Sequence, residues 1–387
     1  MRYLKPSYYD KFVCVADLCP ATCCEGWQIM IDEESLDRYE NVTGQFGKRL
    51  EKSIDWDEGC FHQCNGRCAF LNDKNLCDIV TELGEEALSE TCTRYPRHIE
   101  EYEGEREYSL SISCPIAAKM VLECRNGLDL VETEDETEDP LEDEFEDFDI
   151  LLYTKLQDAR ALFIDLIREK KEIPITVRMQ TCLHVAKSMQ ECLEENRLFD
   201  MDQLLTKENV ELILEKVLKD NGTEKPLFIC EEQYYKIKED FLIFYKLERM
   251  REDWFDTVEA TWDYLYKDGY GNYKKRYEAF LKKYGSNGES EKEWQLFLEN
   301  LFLFFIYTYF CGAVYDDWIY TKVALSVFSV IYISEFIMVK SLLADNNIDK
   351  EQWITMAYRY AREVEHSDDN LNMLEEYLLR WMQEEER

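Results

Sequence analysis

Two apolar runs decide the fold of this chain: LFLFFIYTYFCGAV at residues 301–314 and VALSVFSVIYISEFIM at residues 323–338. Both runs are apolar on most sides, which is typical of helices at the centre of a helical bundle. Lys322 and Glu335 interrupt the apolar stretch at residues 319–338. We therefore interpret this stretch as a buried core helix and expect no membrane span.

Helical spacing of apolar residues continues on both sides of these runs. Leu152, Leu156 and Phe163 recur at this spacing, as do Leu371 and Leu378 near the end of the chain. Glycine and proline are scarce, at 14 and 7 residues, so few turns interrupt the pattern. The sequence predicts a mainly α protein in which residues 150–387 form an all-α helical domain.

The N-terminal third is rich in cysteine. Eleven of the 15 cysteines lie between Cys14 and Cys124. The opening MRYLKPSYYDKF contains no apolar signal segment, so we expect a cytoplasmic protein. Because disulfides are disfavoured in the reducing cytoplasm, clustered thiols in a cytoplasmic protein indicate metal binding or a redox function. We expect the scattered cysteines to be ordinary buried thiols, and they are Cys182, Cys192, Cys230 and Cys311.

Charge divides the chain further. Residues 129–149 carry thirteen Asp or Glu and no Lys or Arg, which favours a solvated linker or exposed loop. We therefore predict a cysteine-rich metal-cluster domain at residues 1–128, packed on or linked to the helical domain. The formal net charge of −37 excludes nucleic acid and anionic membranes as partners. This negative charge is suited to a basic protein partner, or it serves only to keep the protein soluble.

The cysteine spacing points to a metal but leaves its identity open. The clustered positions are Cys14, Cys19, Cys23, Cys24, Cys60, Cys64, Cys68, Cys77, Cys92, Cys114 and Cys124. Zinc sites are typically built from paired ligands, and two matched pairs are not present. An iron–sulfur cluster needs four thiolates and tolerates irregular spacing. The segment from Cys60 to Cys68 is one residue longer than the three-cysteine loop of radical S-adenosylmethionine enzymes, so we do not assign that motif.

A series of sequence blocks over the first 120 residues is more specific. In chain order the blocks are Tyr9 to Cys14, Cys19, Thr22-Cys23-Cys24, Gly26-Trp27, Ile31-Asp32, Cys68-Ala69-Phe70-Leu71, Leu76-Cys77, LGEEALS at residues 83–89 with Thr91-Cys92, Tyr95-Pro96-Arg97 and Ser113-Cys114-Pro115. This series resembles the flagellin lysine-N-methylase family.

The resemblance implies a protein-lysine N-methyltransferase that uses S-adenosylmethionine as cosubstrate, flagellin as protein substrate and an iron–sulfur cluster, most simply 4Fe-4S. The cysteines that match the family are the implied ligands, namely Cys14, Cys19, Cys23, Cys24, Cys68, Cys77, Cys92 and Cys114. The matched blocks also imply cofactor-binding roles for Arg97, Trp27 and Tyr95. Arg97 would hold the cofactor carboxylate, or else form a structural ion pair.

Several questions stay open on the sequence alone. No Gly-x-Gly-x-x-Gly motif follows a strand, so the cofactor pocket must be built in another way. The cluster either binds the methionine end of the cofactor through an iron that has a free coordination position, or it only stabilises the fold. We expect one helix from near Thr81 to Pro96 to present Cys92 to the metal. The sequence assigns no catalytic base and no oligomeric state. The alternative function is an iron–sulfur or zinc-binding redox or structural protein without methyltransferase activity.

Overall fold

The computed structural model describes residues 1–137, 139, 145, 148–221, 230–285 and 288–384, and most of these residues are helical. The predicted mainly α class is therefore confirmed. The α-helices are α1 (Glu33–Glu40), α2 (Gly44–Ser53), α3 (Asp78–Leu83), α4 (Glu90–Arg94), α5 (Pro115–Leu122), α6 (Ile150–Glu169), α7 (Ile175–Glu194), α8 (Met201–Leu204), α9 (Lys207–Asn221), α10 (Glu231–Asp240), α11 (Glu252–Thr261), α12 (Tyr270–Tyr284), α13 (Glu289–Tyr309), α14 (Ala313–Asp316), α15 (Ile319–Leu343), α16 (Lys350–Glu365) and α17 (Asp368–Glu384).

A mixed sheet, which the sequence did not reveal, lies in the N-terminal region. The strands are β1 (Arg2–Pro6), β2 (Ile54–Asp55), β3 (Cys60–Phe61), β4 (Gln63–Cys64), β5 (Arg67–Cys68), β6 (Arg97–Tyr102), β7 (Glu105–Leu110) and β8 (Leu130–Glu134). Four of them form a sheet in the order β6-β7-β1-β8, in which β1 runs parallel to β7 and the other neighbours are antiparallel. The remaining strands form two short hairpins.

Residues 129–149 were predicted to be a solvated linker or exposed loop; Leu130–Glu134 form a strand instead, although residues 131–137 are exposed as expected. Strand β8 pairs with β1, with Glu132 opposite Leu4. Arg2 forms an ion pair with Glu132, with Nε 2.9 Å from the carboxylate, so a basic neighbour offsets the charge repulsion that favoured a loop. Asp139 likewise contacts Arg106 at 2.5 Å. Residues 138, 140–144 and 146–147 of the predicted linker lie outside the described residues.

The two apolar runs form the centre of the helical region, as predicted. Within the described residues, two helical segments are long and apolar enough to cross a membrane by length and composition, namely Glu289–Asp316 and Ile319–Leu343. Their apolar windows are 83% and 94% buried inside the protein. This burial is what core helices show, since a helix that is apolar on all sides must be enclosed by other elements.

The buried apolar residues divide into two clusters. A small cluster, from Ile29 to Ala87, surrounds α1 to α3 and the hairpins. The large cluster contains the helical region and also includes Leu4, Leu110 and Val121 from the sheet and α5. Apolar packing therefore crosses the predicted domain boundary at residue 128.

Buried polar contacts cross the same boundary. Arg160 of α6 donates to Glu107 of β7, with Nη1 2.5 Å from Oε2, and both side chains are almost fully buried. Tyr307 of α13 donates its hydroxyl to the carbonyl of Tyr108 at 3.0 Å. Since a buried charge needs a partner, the sheet and the helices fix each other's positions.

Two further expectations are corrected. The predicted helix from Thr81 to Pro96 is divided into α3 and α4, because Gly84 adopts a φ of +96° and ends the first helix. Ser89 then caps α4 by accepting a hydrogen bond from the backbone N–H of Cys92. Among the four scattered cysteines, Cys230 is exposed at the start of α10, whereas the other three are buried as expected.

Candidate functional site

The predicted metal-ligating cysteines lie in loops and at the ends of short elements. Cys77 and Cys114 are the N-cap residues of α3 and α5, and Cys92 lies in the first turn of α4. Burial raises the pKa of Cys77 and Cys114, while hydrogen bonds from backbone N–H groups of the following turn oppose that shift. Such N–H groups stabilise a thiolate once its proton has left.

Four of these cysteines act on one another electrostatically around Cys24. Burial raises the pKa of Cys68 and Cys92 to about 12, and the charge of Cys24 adds to both shifts. The charge of Cys24 adds in the same way to the burial that raises the pKa of Cys77. These four thiols therefore share one region of the fold, although they come from four separate segments of the chain.

Cys23 connects this group to the remaining predicted ligands. Its Sγ lies 4.0 Å from Sγ of Cys24, and their hydrogen bond lowers the pKa of Cys24 to about 7 and raises that of Cys23. The charge of Cys14 also acts on Cys23, and Cys14 and Cys19 act on Cys114 in addition to burial. These electrostatic effects connect all eight predicted ligands as one set of thiols, although among the described residues only the sulfur atoms of Cys23 and Cys24 are in direct contact.

The donor chemistry suits a soft metal centre, but the side-chain positions define no coordination geometry. All fifteen cysteines are free thiols. In the described part of the chain, no group of three or more His, Cys, Asp or Glu side chains is arranged to hold a metal ion. Clustered thiols with raised pKa values would lose their protons on binding iron or zinc. The iron–sulfur cluster therefore stays a prediction.

A cavity of about 440 Å³ lies beside these cysteine loops, where they meet α13, α16 and α17. The three residues predicted to bind the cofactor, Trp27, Tyr95 and Arg97, all line it. Trp27 also donates its indole N–H to the carbonyl of Cys23 at 2.7 Å. Ligand cavities span roughly 300–1,000 Å³, so this one is large enough for a small molecule.

One wall of the cavity is aromatic. Trp27 stacks on His366 with ring centroids 4.8 Å apart and lies 5.7 Å from Tyr95. The guanidinium of Arg97 donates to the carbonyl of Phe12 at 3.3 Å and lies 5.2 Å from the centre of its ring. Arg97 is not ion-paired with any described carboxylate, so the structural ion pair considered for it is not observed.

A chain of hydroxyl groups leads from this wall to a buried carboxylate. Tyr95 and Ser113 are 3.0 Å apart at their oxygens, and Ser113 and Ser111 are 2.6 Å apart. Ser111 then donates to Oε2 of Glu365, the last residue of α16. Arg362 fixes the same loop by donating from Nε to the carbonyl of Ser113 at 2.9 Å.

Four buried polar atoms of cavity-lining residues have no hydrogen-bond partner within the described protein. They are Ser109 Oγ, Thr308 Oγ1, Glu365 Oε1 and His366 Nε2. The hydroxyl of Tyr309 lies close enough to the Glu365 carboxylate to lower its pKa as a hydrogen-bond donor does, although no bond to Oε1 has ordinary hydrogen-bond geometry. Because buried polar atoms are nearly always hydrogen-bonded, four such atoms at one cavity indicate a place where a polar ligand would bind.

The cavity contains titratable groups with shifted pKa values. Burial raises the pKa of Glu365 to about 7 and, with the charge of Arg362, lowers that of His366 to about 3. Lys322 lies between Glu375 and Asp316, with Nζ 2.7 and 2.6 Å from their carboxylates. Burial opposes the charge of Lys322, but these two carboxylates raise its pKa. Near neutral pH the cavity therefore contains a fixed cation and a carboxyl group close to its midpoint.

No sequence pattern indicated Glu365 and His366. They end an ordinary amphipathic helix, as its last residue and its C-cap, and only the packing of α16 against the N-terminal loops brings them to Trp27 and Ser111. Lys322 was visible as a charge in an apolar run. That interruption was the one local signal that a polar site adjoins the core helix.

Residues 160–384 match the family model described as the FliB lysine N-methylase C-terminal domain. The curated proteins similar to this chain include two named lysine-N-methylase, from Salmonella typhimurium and Salmonella choleraesuis, and flagellar biosynthetic protein FliU from Salmonella muenchen. Each is 28% identical over 137 residues, which is 33% of this chain.

The coverage of these relatives differs. The match spans 34% of each lysine-N-methylase and 81% of the FliU protein, so the chain spans about a third of the length of the lysine-N-methylases. No solved structure matches the chain. The family model covers the helical region, whereas the blocks that first indicated the family lie before residue 120. These two lines of evidence rest on different residues.

Proposed function

This chain belongs to the FliB lysine N-methylase family, and from that premise we propose that it transfers a methyl group from S-adenosylmethionine to lysine side chains of flagellin. The observation that carries the proposal is the cavity that joins the cysteine loops to α16 and its four unpaired buried polar atoms. The relatives' names supply the reaction and the link to the flagellum.

The aromatic wall is the part of the cavity best suited to the cofactor. A sulfonium is a cation, and aromatic faces such as those of Trp27 and Tyr95 attract cations. Arg97 presents a guanidinium without a carboxylate partner among the described residues, and its planar fork matches the carboxylate of the methionine end. These three side chains would hold the cofactor with its methyl group directed into the cavity.

The connected thiols would hold an iron–sulfur cluster, most simply 4Fe-4S. The ligands would be drawn from the eight cysteines Cys14, Cys19, Cys23, Cys24, Cys68, Cys77, Cys92 and Cys114. When bound, such a cluster would supply an iron site for the methionine end of the cofactor. Alternatively, it would only cross-link loops that bury little apolar surface themselves. The hydrogen bond from Trp27 to the Cys23 carbonyl connects the cluster loops to the cavity.

Methyl transfer is an in-line displacement that requires alignment and exclusion of water more than new chemistry. The buried part of the lining, which includes Pro96 and Phe304, would limit the access of water to the reacting atoms. The carboxylates of Glu365, Glu375 and Asp316 also line the cavity. A lysine ammonium would be attracted to them, so we assign the part of the cavity that they line to the substrate side chain.

The charge of the whole chain supports a basic docking partner. With a net charge of −37, the protein would attract a lysine-bearing surface segment of flagellin, and dissolved salt would weaken that attraction.

The test is methyl transfer measured with purified, anaerobically prepared protein, labelled S-adenosylmethionine and flagellin. Arg97→Ala should raise the KM for the cofactor at least tenfold. Its matched control is Arg94→Ala, since Arg94 is an exposed residue of α4 that pairs only with Glu90 four positions earlier. Reversible cluster reduction without cofactor binding or methyl transfer would instead support the redox protein considered as the alternative.

A further inference from the structure

Glu365 occupies a special position in the cavity. It ends α16, and burial and hydrogen bonding divide its two oxygens into different roles. Oε2 accepts a hydrogen bond from Ser111, which is itself held by Ser113. Oε1 is buried, lines the cavity and has no hydrogen-bond partner within the described protein. One oxygen is therefore held in place, and the other is available to a ligand.

We propose that Glu365 is a catalytic residue that accepts the proton from the substrate lysine before methyl transfer. The inference rests on the proposed function, because it requires a lysine ammonium in the cavity. Among the other cavity carboxylates, Glu375 and Asp316 pair with Lys322. Glu100 contacts His98, and Asp368 is exposed. Glu365 is the one with an unpaired buried oxygen.

The step balances as follows. The Glu365 carboxylate takes one proton from the ammonium, which leaves a carboxylic acid and a neutral amine. The amine nitrogen forms a bond to the methyl carbon of S-adenosylmethionine while the carbon–sulfur bond breaks. The electron pair of that bond stays on sulfur, so the products are a neutral thioether and a methylated ammonium. The carboxylic acid then returns its proton to water.

The groups around Glu365 favour this role. Its pKa is raised to about 7 because burial disfavours the charge. The hydrogen bond from Ser111, the charge of His98 on β6, the hydroxyl of Tyr309 and the backbone N–H of Ser113 oppose that shift. Tyr309 on α13 is the other titratable side chain acting on it, and burial raises that phenol's pKa well above 10. A general base works best when its pKa lies near the working pH.

The difference between the two pKa values must also be overcome. A free lysine has a pKa of about 10.4, more than three units above that of Glu365. Burial lowers the pKa of an ammonium. The charge of Lys322 is offset by Glu375 and Asp316, so it adds no net lowering. Burial in the cavity is therefore the effect that brings the substrate amine toward the range in which Glu365 can take its proton.

The test compares Glu365→Gln with Glu363→Gln. Both glutamates lie on α16, both have a raised pKa, and each has one buried oxygen without a partner in the described protein. Glu363 does not line the cavity and accepts from the backbone N–H of Met250. It is therefore a matched control for the loss of a buried carboxyl group. Glutamine keeps the size and the acceptor oxygen in both variants.

We expect Glu365→Gln to lower kcat by about 10²- to 10⁴-fold, the usual contribution of a general base, with cofactor affinity within about threefold of the parent. The rise of kcat with pH near 7 should disappear in this variant and persist in Glu363→Gln. Ser111→Ala, which leaves the carboxylate in place, should lower kcat less and move that rise to higher pH, because the carboxylate loses a stabilising donor.

Three results are distinguishable. If the parent protein methylates nothing, the proposed function fails and the assignment of Glu365 fails with it. If the parent is active and Glu365→Gln retains its kcat and pH profile, only the assignment of Glu365 is overturned. If Glu365→Gln unfolds, the Ser111→Ala profile decides, and an unshifted profile overturns the assignment.

Discussion

Replacing Arg362 with alanine should separate the cysteine loops from the helical region. Arg362 lies on α16 and is 3% exposed. Its Nε donates to the carbonyl of Ser113 at 2.9 Å, and its Nη2 donates to the carbonyl of Ala21 at 3.0 Å. Ala21 belongs to the loop between Cys19 and Cys23, so one side chain ties the thiol set to the helix that ends in Glu365.

The expected cost follows from these contacts. Hydrogen bonds that involve a charged group contribute about 1.5–3 kcal/mol each, so losing two of them lowers the free energy of unfolding by about 3–6 kcal/mol. Both carbonyls would also be left without this donor in a buried setting. The loop would then be free to move, and we expect a lower iron content after anaerobic reconstitution.

The matched control is Arg359→Ala, which removes the same atoms from the same helix. Arg359 donates from Nη2 to both the carbonyl and the carboxylate of Asp253 at 3.0 Å, and both contacts are exposed. Exposed ion pairs contribute about 0–1 kcal/mol. Urea unfolding followed by tryptophan fluorescence and by far-ultraviolet circular dichroism should therefore separate the variants by at least ~2 kcal/mol. Equal unfolding free energies for the two variants would refute the assigned role of Arg362.

Three further predictions concern the metal, the core and the substrate. Cys23→Ser and Cys92→Ser should each lose bound iron. Cys311→Ser, which replaces a buried thiol of the helical region, should keep it. Equal iron content in all three variants would contradict the ligand assignment. The pKa of Glu335 is raised to about 7 by burial, so the folded state holds this proton more tightly than the unfolded state and stability should fall as pH rises from about 4.5 to about 7. Glu335→Gln should remove part of that fall, by up to about 3 kcal/mol, and an unchanged pH dependence of urea unfolding would count against it. Salt should raise the KM for flagellin more than it lowers kcat, because the negative charge of the protein acts when flagellin docks and salt screens that attraction. A salt-independent KM would mean that the net charge of −37 serves solubility alone.

The helical region could be predicted because its information is local. Residues 301–314 and 323–338 are apolar on nearly every side, and this property alone requires that they be buried. The sheet gave no such signal. Its parallel pair joins β1 to β7 across about a hundred residues of chain, and β7 contains Glu105, Arg106 and Glu107, whose burial depends on partners elsewhere in the fold.

The candidate site shows the same division. Trp27, Tyr95 and Arg97 come from sequence blocks that resemble a known family, and the structure places all three at one cavity. Glu365 and His366 come from the far end of the chain, and no local pattern distinguishes them from other residues of an amphipathic helix. Contacts between distant segments create the site, so the half that α16 supplies could not be read from the sequence.

The central claim is methyl transfer to lysine, and mass spectrometry of flagellin tests it most directly. Flagellin would be incubated with the anaerobically reconstituted protein and S-adenosylmethionine carrying a deuterated methyl group, then digested and sequenced. The account predicts deuterated methyl groups on lysine side chains, and none when the cofactor or the protein is omitted. Unmodified lysines in the presence of an intact cluster and bound cofactor would contradict it.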